Sequence, residues 1–459
     1  MEEGLLSKDR FRDKRVGWGE IAEEMKRLGY LAGPLLAVTL SFYLLQVTSL
    51  TMVGHLGELS LSSTSIAFSL AGVTGFSFLL GMACALETIS GQAFGAQLYE
   101  KVGTQTYTAI VSLLIVSIPL SILWLFTGSL LRFIGQDPEI SVEAGKFLTW
   151  LIPTLFGYAI LQPLIRYYQM QSLVLPMLIS SSITLCFHLP LCWTLVYKSA
   201  LGSRGAAVAM GLSVWLNVTI LSLYMVLSPS CSKTRSPISW EIFYGMKEFF
   251  VFAIPSAVMI CLEWWSYELL VLLSGLLPNP QLEASVLSVC LSTISTLYTI
   301  PYGLAAAAST RISNELGAGN PHEARVSVIS LMILAAIDAA VISSILFASR
   351  NVYGYVFSNE DEVVEYVTSM TPLVCLSVVF DSIQGTLSGV ARGCGWQHIG
   401  AYINLAAFYL FGIPIGTSLG FLAKLKGKGL WVGVVCGAGL QIVMFGIITS
   451  CTNWEKQVM

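Results

Sequence analysis

The sequence predicts an all-α polytopic membrane protein, with twelve transmembrane helices in two six-helix lobes related by a pseudo-two-fold axis along the membrane normal. Three observations carry that expectation. The 459 residues are 55% hydrophobic and only 11% charged, against about 25% charged in a soluble domain, and the mean hydropathy is +0.74. Twelve stretches reach the roughly 20 apolar residues that a span requires. Landmarks of the first half recur in the second at nearly one offset.

The spans lie near 29–53, 62–86, 107–131, 147–168, 174–197, 205–227, 249–274, 285–308, 326–349, 367–391, 399–422 and 429–451. Backbone facing lipid must satisfy its hydrogen bonds within its own segment, so these are helices. A barrel would show short alternating strands, and none are present. The chain divides into a polar tail (1–28), a first lobe (29–227), a polar linker (228–246), a second lobe (247–451) and a short tail (452–459). The basic residues Lys8, Arg10, Arg12, Lys14 and Arg15 crowd the start. That segment is too long and too charged for a signal-peptide n-region, and the apolar run after it is long enough to stay in the membrane.

Internal repetition is the stronger architectural signal. Pro34 and Pro255 each fall about six residues into their spans, 221 positions apart. Gly54 and Gly275 close those spans at the same offset. GQAFGA (91–96) follows span 2 and SNELGA (313–318) follows span 8, while LGSRG (201–205) and LKGKG (425–429) separate the last two spans of each half. Six helices separate the copies, so the second enters the membrane in the same sense as the first, and the repeats are parallel. Duplicated halves suit alternating access, in which one half rocks against the other around a central cavity. Placing the N-terminus inside puts 16 of the 24 Lys and Arg on the inner side and 8 on the outer, which favours both termini in the cytosol.

Composition also excludes. A net charge of −3 makes no case for nucleic acid. The ten cysteines form no CxxC, and most fall in apolar stretches where they serve as small hydrophobes. His55, His188, His322 and His398 are scattered, so no metal site and no cofactor is expected. There is no HExxH and no GxSxG within a span, which argues against a membrane-embedded enzyme.

The informative residues are the acids. Of 27, four fall within the span limits: Glu263, Glu268, Asp338 and Asp381. A lone charge at the bilayer centre costs about 2.5–3.5 kcal/mol on insertion scales. A carboxylate avoids that by facing a wet cavity, pairing with a cation or taking up a proton. No Lys, Arg or His lies at mid-depth within the limits given, His188 excepted, so a protonatable group facing a cavity is the expectation, and that is the chemistry of proton coupling. Glu263 sits about fourteen residues into span 7 and Asp381 in mid-span 10; these are the primary proton and substrate candidates. Glu268, five residues on, is rotated about 140° from Glu263 and lies nearer interfacial water. Asp338, among alanines, is explained as well by a hydrogen bond across a close helix contact. Trp264 and Trp265 flank Glu263, and aromatic faces attract organic cations, though packing explains them equally. Tyr298 is a candidate cavity hydroxyl. Pro255 removes a backbone bond eight residues before Glu263 and is a candidate hinge.

LEWWSYELLVLLSGLLPNP (262–280), TRISNELGAGNP (310–321), ALETISGQAFGA (85–96) and SGVARGCGWQ (388–397) resemble plant members of the multidrug and toxic compound extrusion transporters. The resemblance runs from span 1 to span 12. It implies two six-helix bundles in a V and export of organic solutes against inward protons or sodium. It also implies that acids of the second lobe carry the proton: Glu263 within EWW, Glu268 on the same helix, and Asp381 on span 10. Many prokaryotic members use an aspartate in span 1, and here span 1 has no acid.

The expected function is therefore a proton-coupled antiporter that exports organic solutes, cationic or amphiphilic xenobiotics or secondary metabolites, by alternating access. The expected partners are the solute, H+ and the bilayer, with the chain a monomer in the plasma or vacuolar membrane. The alternatives are sodium coupling, which the acid-free span 1 argues against, and a lipid or lipid-linked flippase of the same fold, which would want cations within the spans.

Overall fold

The structure, a computed structural model, describes residues 16–357 and 360–458. The basic cluster between Lys8 and Arg15 lies outside them. Twelve helices long and apolar enough to cross a membrane follow one another: α1 (Trp18–Gly54), α2 (Glu58–Gly95), α3 (Tyr99–Leu125), α4 (Pro138–Met170), α5 (Val174–Lys198), α6 (Ser203–Leu227), α7 (Met246–Ser274), α8 (Pro280–Gly317), α9 (Pro321–Ala348), α10 (Asp361–Cys394), α11 (Gln397–Leu422) and α12 (Lys426–Cys451). No strand occurs among the described residues.

Each of the twelve expected spans is a helix, and most run longer than hydropathy alone indicates. The first begins at Trp18, inside the stretch read as tail, with Ile21, Glu24 and Leu28 buried. The linker is likewise less free than its polarity suggests. Its Thr234 is buried, bonded to Tyr167 at 2.6 Å and to Gln171 at 2.8 Å, which straps it to α4. Local chemistry sets the ends. Asp137 accepts from the amides of Glu139 and Ile140 in front of Pro138, at the start of α4. Gly395, at φ +82°, turns the chain out of α10 and into α11. The helices are apolar outward. Ile115, Ile118 and Ile122 form an exposed stripe on α3, and Ile337, Val341 and Ile345 one on α9, at the spacing of a single helix face.

The halves pack alike. In the first, α4 meets α2, α3 and α6, while α5 meets α1 and α6; in the second, α10 meets α8, α9 and α12, while α11 meets α7 and α12. The axis relating them can be placed from glycine contacts. Gly91 lies against Ser313, its own counterpart at offset 222. Gly95 lies against Asn314, and Gly317 against Gln92; adding 222 to the first pair's first member gives the second pair's first member, and likewise for Gln92 and Asn314. This reciprocity marks an isologous, two-fold contact, so the axis passes beside Gly91 and Ser313. The same exchange relates Gly81 against Ala257 to Gly303 against Leu36. A Cβ on Gly81 would fall 2.6 Å from the Ala257 Cα, so only glycine permits that approach.

Contacts between halves concentrate at the end bearing the described termini. The segments Ala85–Gly95 of α2 and Thr299–Gly317 of α8 pack on each other, and the latter also on α1. The opposite segments, Glu58–Ala71 and Pro280–Leu297, make their main contacts within their own half. The halves are thus joined mainly toward the terminal end.

Candidate functional site

The two primary acids come together in the second half, braced by three helices. Glu263 and Tyr267 are four residues apart and share a face of α7. Tyr298 of α8 donates to Glu263 Oε1 at 3.1 Å, and Tyr267 donates to Asp381 Oδ1 of α10 at 3.1 Å. Both carboxyl groups are buried, 7% and 4% exposed. α8 is interrupted at Tyr298, between helical segments ending at Leu297 and resuming at Thr299. Pro301 is the physical cause: lacking an N–H, it leaves the Leu297 carbonyl unbonded. Gly385, one turn beyond Asp381, lets the Tyr298 ring approach, since a Cβ there would stand 3.2 Å from it.

Glutamines complete the surround. Gln384 of α10 and Gln441 of α12 face Glu263, and Gln441 is held by a 2.8 Å bond to Asn404, which in turn donates to the Met259 carbonyl at 2.7 Å. Asp381 Oδ2, Gln384 Nε2 and Gln441 Oε1 are buried without a hydrogen-bond partner. The cluster therefore combines two acids, two phenols and unused polar capacity, and among the described residues no cation is bonded to either acid. Such a group can bind a proton or hydrogen-bond a polar solute.

The remaining candidates stand elsewhere. Glu268 is exposed and accepts from Ser69 of α2 at 3.2 Å, on another face of α7 from Glu263. Trp264 and Trp265 are partly exposed, and Trp265 donates to the Val73 carbonyl at 3.1 Å. Pro255 lies within continuous helix. Asp338 accepts from Ser382 at 3.0 Å, the bond expected across that contact. His188 is buried between Ser49 (3.0 Å) and Ser213 (2.9 Å), inside the first half. Tyr267, Gln384 and Gln441 were absent from the sequence expectation. Their signals were the i+4 spacing from Glu263, the i+3 spacing from Asp381, and a lone amide within an apolar span.

Two cations are buried near the terminal ends of their helices. Glu87, one residue past the limit drawn for span 2, is 1% exposed and paired with Arg166 (3%) and Arg392 (5%). Arg392 Nε donates to Glu87 Oε2 at 2.8 Å, and Arg166 Nε stands 3.2 Å from Oε1. Hydropathy put Glu87 and Arg392 one residue past their spans and Arg166 near the end of span 4, because charges end an apolar window. The helices run on because the three neutralise one another where the halves meet.

The fold is that of a membrane transporter rather than an enzyme. The MatE family model matches residues 34–194 and 255–417, once in each half. Protein DETOXIFICATION 14 of Arabidopsis thaliana is 61% identical over 434 residues, covering 95% of this chain and 90% of the relative. The crystal structure of the eukaryotic MATE transporter AtDTX14 superposes with a TM-score of 0.92 at 60% identity, covering 96% of this chain and 98% of that one. The Vibrio cholerae MATE transporter VcmN in its bent form shares the fold at 16% identity, with a TM-score of 0.81 and coverage of 96% and 98%. The chain belongs to the MatE family of multidrug and toxic compound extrusion transporters.

Proposed function

We propose that this transporter exports organic solutes, cationic or amphiphilic in character, in exchange for inward-moving protons, and that Glu263 and Asp381 carry the exchange. The observation that supports it best is the Glu263 environment: a buried carboxyl held by a phenol and faced by amides, with no cation bonded to it. Neutral partners of this kind accommodate both the acid and its anion, because a phenol or an amide can serve either.

In the proposed cycle the open end of the V faces outward. A proton enters the second half and settles on Glu263 or Asp381, removing the negative charge that holds a cationic solute, which leaves. The terminal end then opens, the proton passes to the cytosol, and a new solute takes the freed carboxylate. A ligand moves such an equilibrium only by its differential affinity for the two states; competition of solute and proton for one group supplies that difference. Pro255, on the terminal side of Glu263, is the proposed hinge. The domain limits at 29–227 and 247–451 follow the two halves, and the excess of basic residues supports termini in the cytosol of a plasma or vacuolar membrane.

The test is efflux of a lipophilic organic cation, ethidium, from proteoliposomes in sodium-free buffer with an imposed pH gradient. Efflux that accelerates with the gradient and stops in Glu263→Gln supports the reading. Efflux indifferent to the gradient, or dependent on added sodium, rejects it.

A further inference from the structure

The ion cluster at the terminal end has no part in that cycle as described. Its members divide unevenly: Glu87 on α2 and Arg166 on α4 belong to the first half, Arg392 on α10 to the second. We propose that Glu87, Arg166 and Arg392 form the lock that closes the terminal end, with the Glu87–Arg392 bond as the contact that must part when that end opens. The inference holds whichever ion drives transport.

Four observations carry it. The Glu87–Arg392 bond joins the halves at 2.8 Å and is nearly sealed from solvent. Auxiliary bonds cross the same seam: Arg166 to Tyr302 at 3.0 Å, Gln169 to the Ala306 carbonyl at 3.0 Å, and Thr88 to the Arg392 carbonyl. The glycine contact at Gly91 and Gly95 lies one turn beyond, and brings the backbones close enough for these side chains to meet. Two guanidinium groups share the one Glu87 carboxylate, with Arg392 bonded to Oε2 and Arg166 Nε 3.2 Å from Oε1. A buried ion pair is weakly favourable overall, because lost hydration offsets attraction. That suits a contact which must both close and open. An apolar seam of equal area would resist wetting. When the halves part, Glu87 keeps Arg166 as its partner, and Arg392 alone exchanges its carboxylate for water.

A native reporter sits in the cluster. Cys84 is buried, and its Sγ accepts from Arg166 Nη2 at 3.3 Å. Cys192 and Cys290 are buried within the first and second halves respectively. The experiment measures N-ethylmaleimide labelling of each cysteine by peptide mass spectrometry, on the full chain in lipid nanodiscs. Glu87→Gln and Arg392→Gln should each raise the Cys84 rate about tenfold, with no further rise in the double variant because both break one bond. Arg392→Lys should give an intermediate rate, and Cys192 and Cys290 should not change. A Cys84 rate within about twofold of the parent in both single variants overturns the proposal. So do equal rises at all three cysteines, which would report loosening of the whole fold.

Discussion

The two halves share a helix order, a packing pattern and an axis, yet they place different chemistry at matching points. Tyr298, which holds Glu263, has Phe76 as its counterpart at offset 222. Where the second half has a phenol on a carboxylate, the first has an aromatic cluster: Phe76 lies 5.7 Å from Trp124 and 4.9 Å from Tyr158 between ring centroids, and Trp124 Nε1 donates to Thr74 at 2.9 Å. Glu263 itself is matched by Phe42 at offset 221. At these matching points the first half is packed with aromatic rings, whereas the second holds Glu263 and Tyr298. Duplication fixed a common frame, and divergence placed the buried acids Glu263 and Asp381 on one side of it.

That contrast can be broken by exchanging consequences. Glu263→Gln should reduce gradient-driven efflux by more than about 100-fold while leaving the protein folded, since it removes the proposed proton acceptor; Phe42→Leu at the matching position should change efflux by less than about twofold. An equal loss in both would erase the distinction. Trp124→Phe should act on the other axis. It forfeits a hydrogen bond and filled volume, a loss of about 1–3 kcal/mol visible as a lower melting temperature in detergent, with the pH profile of efflux unmoved. Tyr298→Phe removes only the hydroxyl on Glu263, worth about 1 kcal/mol. The expected result is roughly a fivefold slower efflux with little change in melting temperature. Asp338→Asn keeps an acceptor for Ser382, and initial efflux rates should stay within about twofold of the parent.

Much of this was readable from the residues. Hydropathy located every span because lipid requires long apolar helices, and repeated Pro, Gly and small-residue motifs located the duplication. GQAFGA and SNELGA repeat because they touch across the axis, a reason the one-dimensional pattern cannot state. Glu263 and Asp381 stood out as charges in oil. The partners Tyr267, Gln384 and Gln441 did not, since a phenol or amide in a span is unremarkable until another helix brings a carboxyl to it. The Glu87 cluster was missed for a different reason. Window averages treat a charge as the end of a span, whereas three charges from three helices can be buried together when they compensate.

The most direct test of the central claim is an infrared difference titration of the lipid-reconstituted protein between about pH 5 and pH 8. The account predicts a protonated-carboxyl band that disappears as pH rises, and that is lost in the Glu263→Gln, Asp381→Asn double variant. A spectrum without such a band across that range, or one unchanged in the double variant, would contradict it.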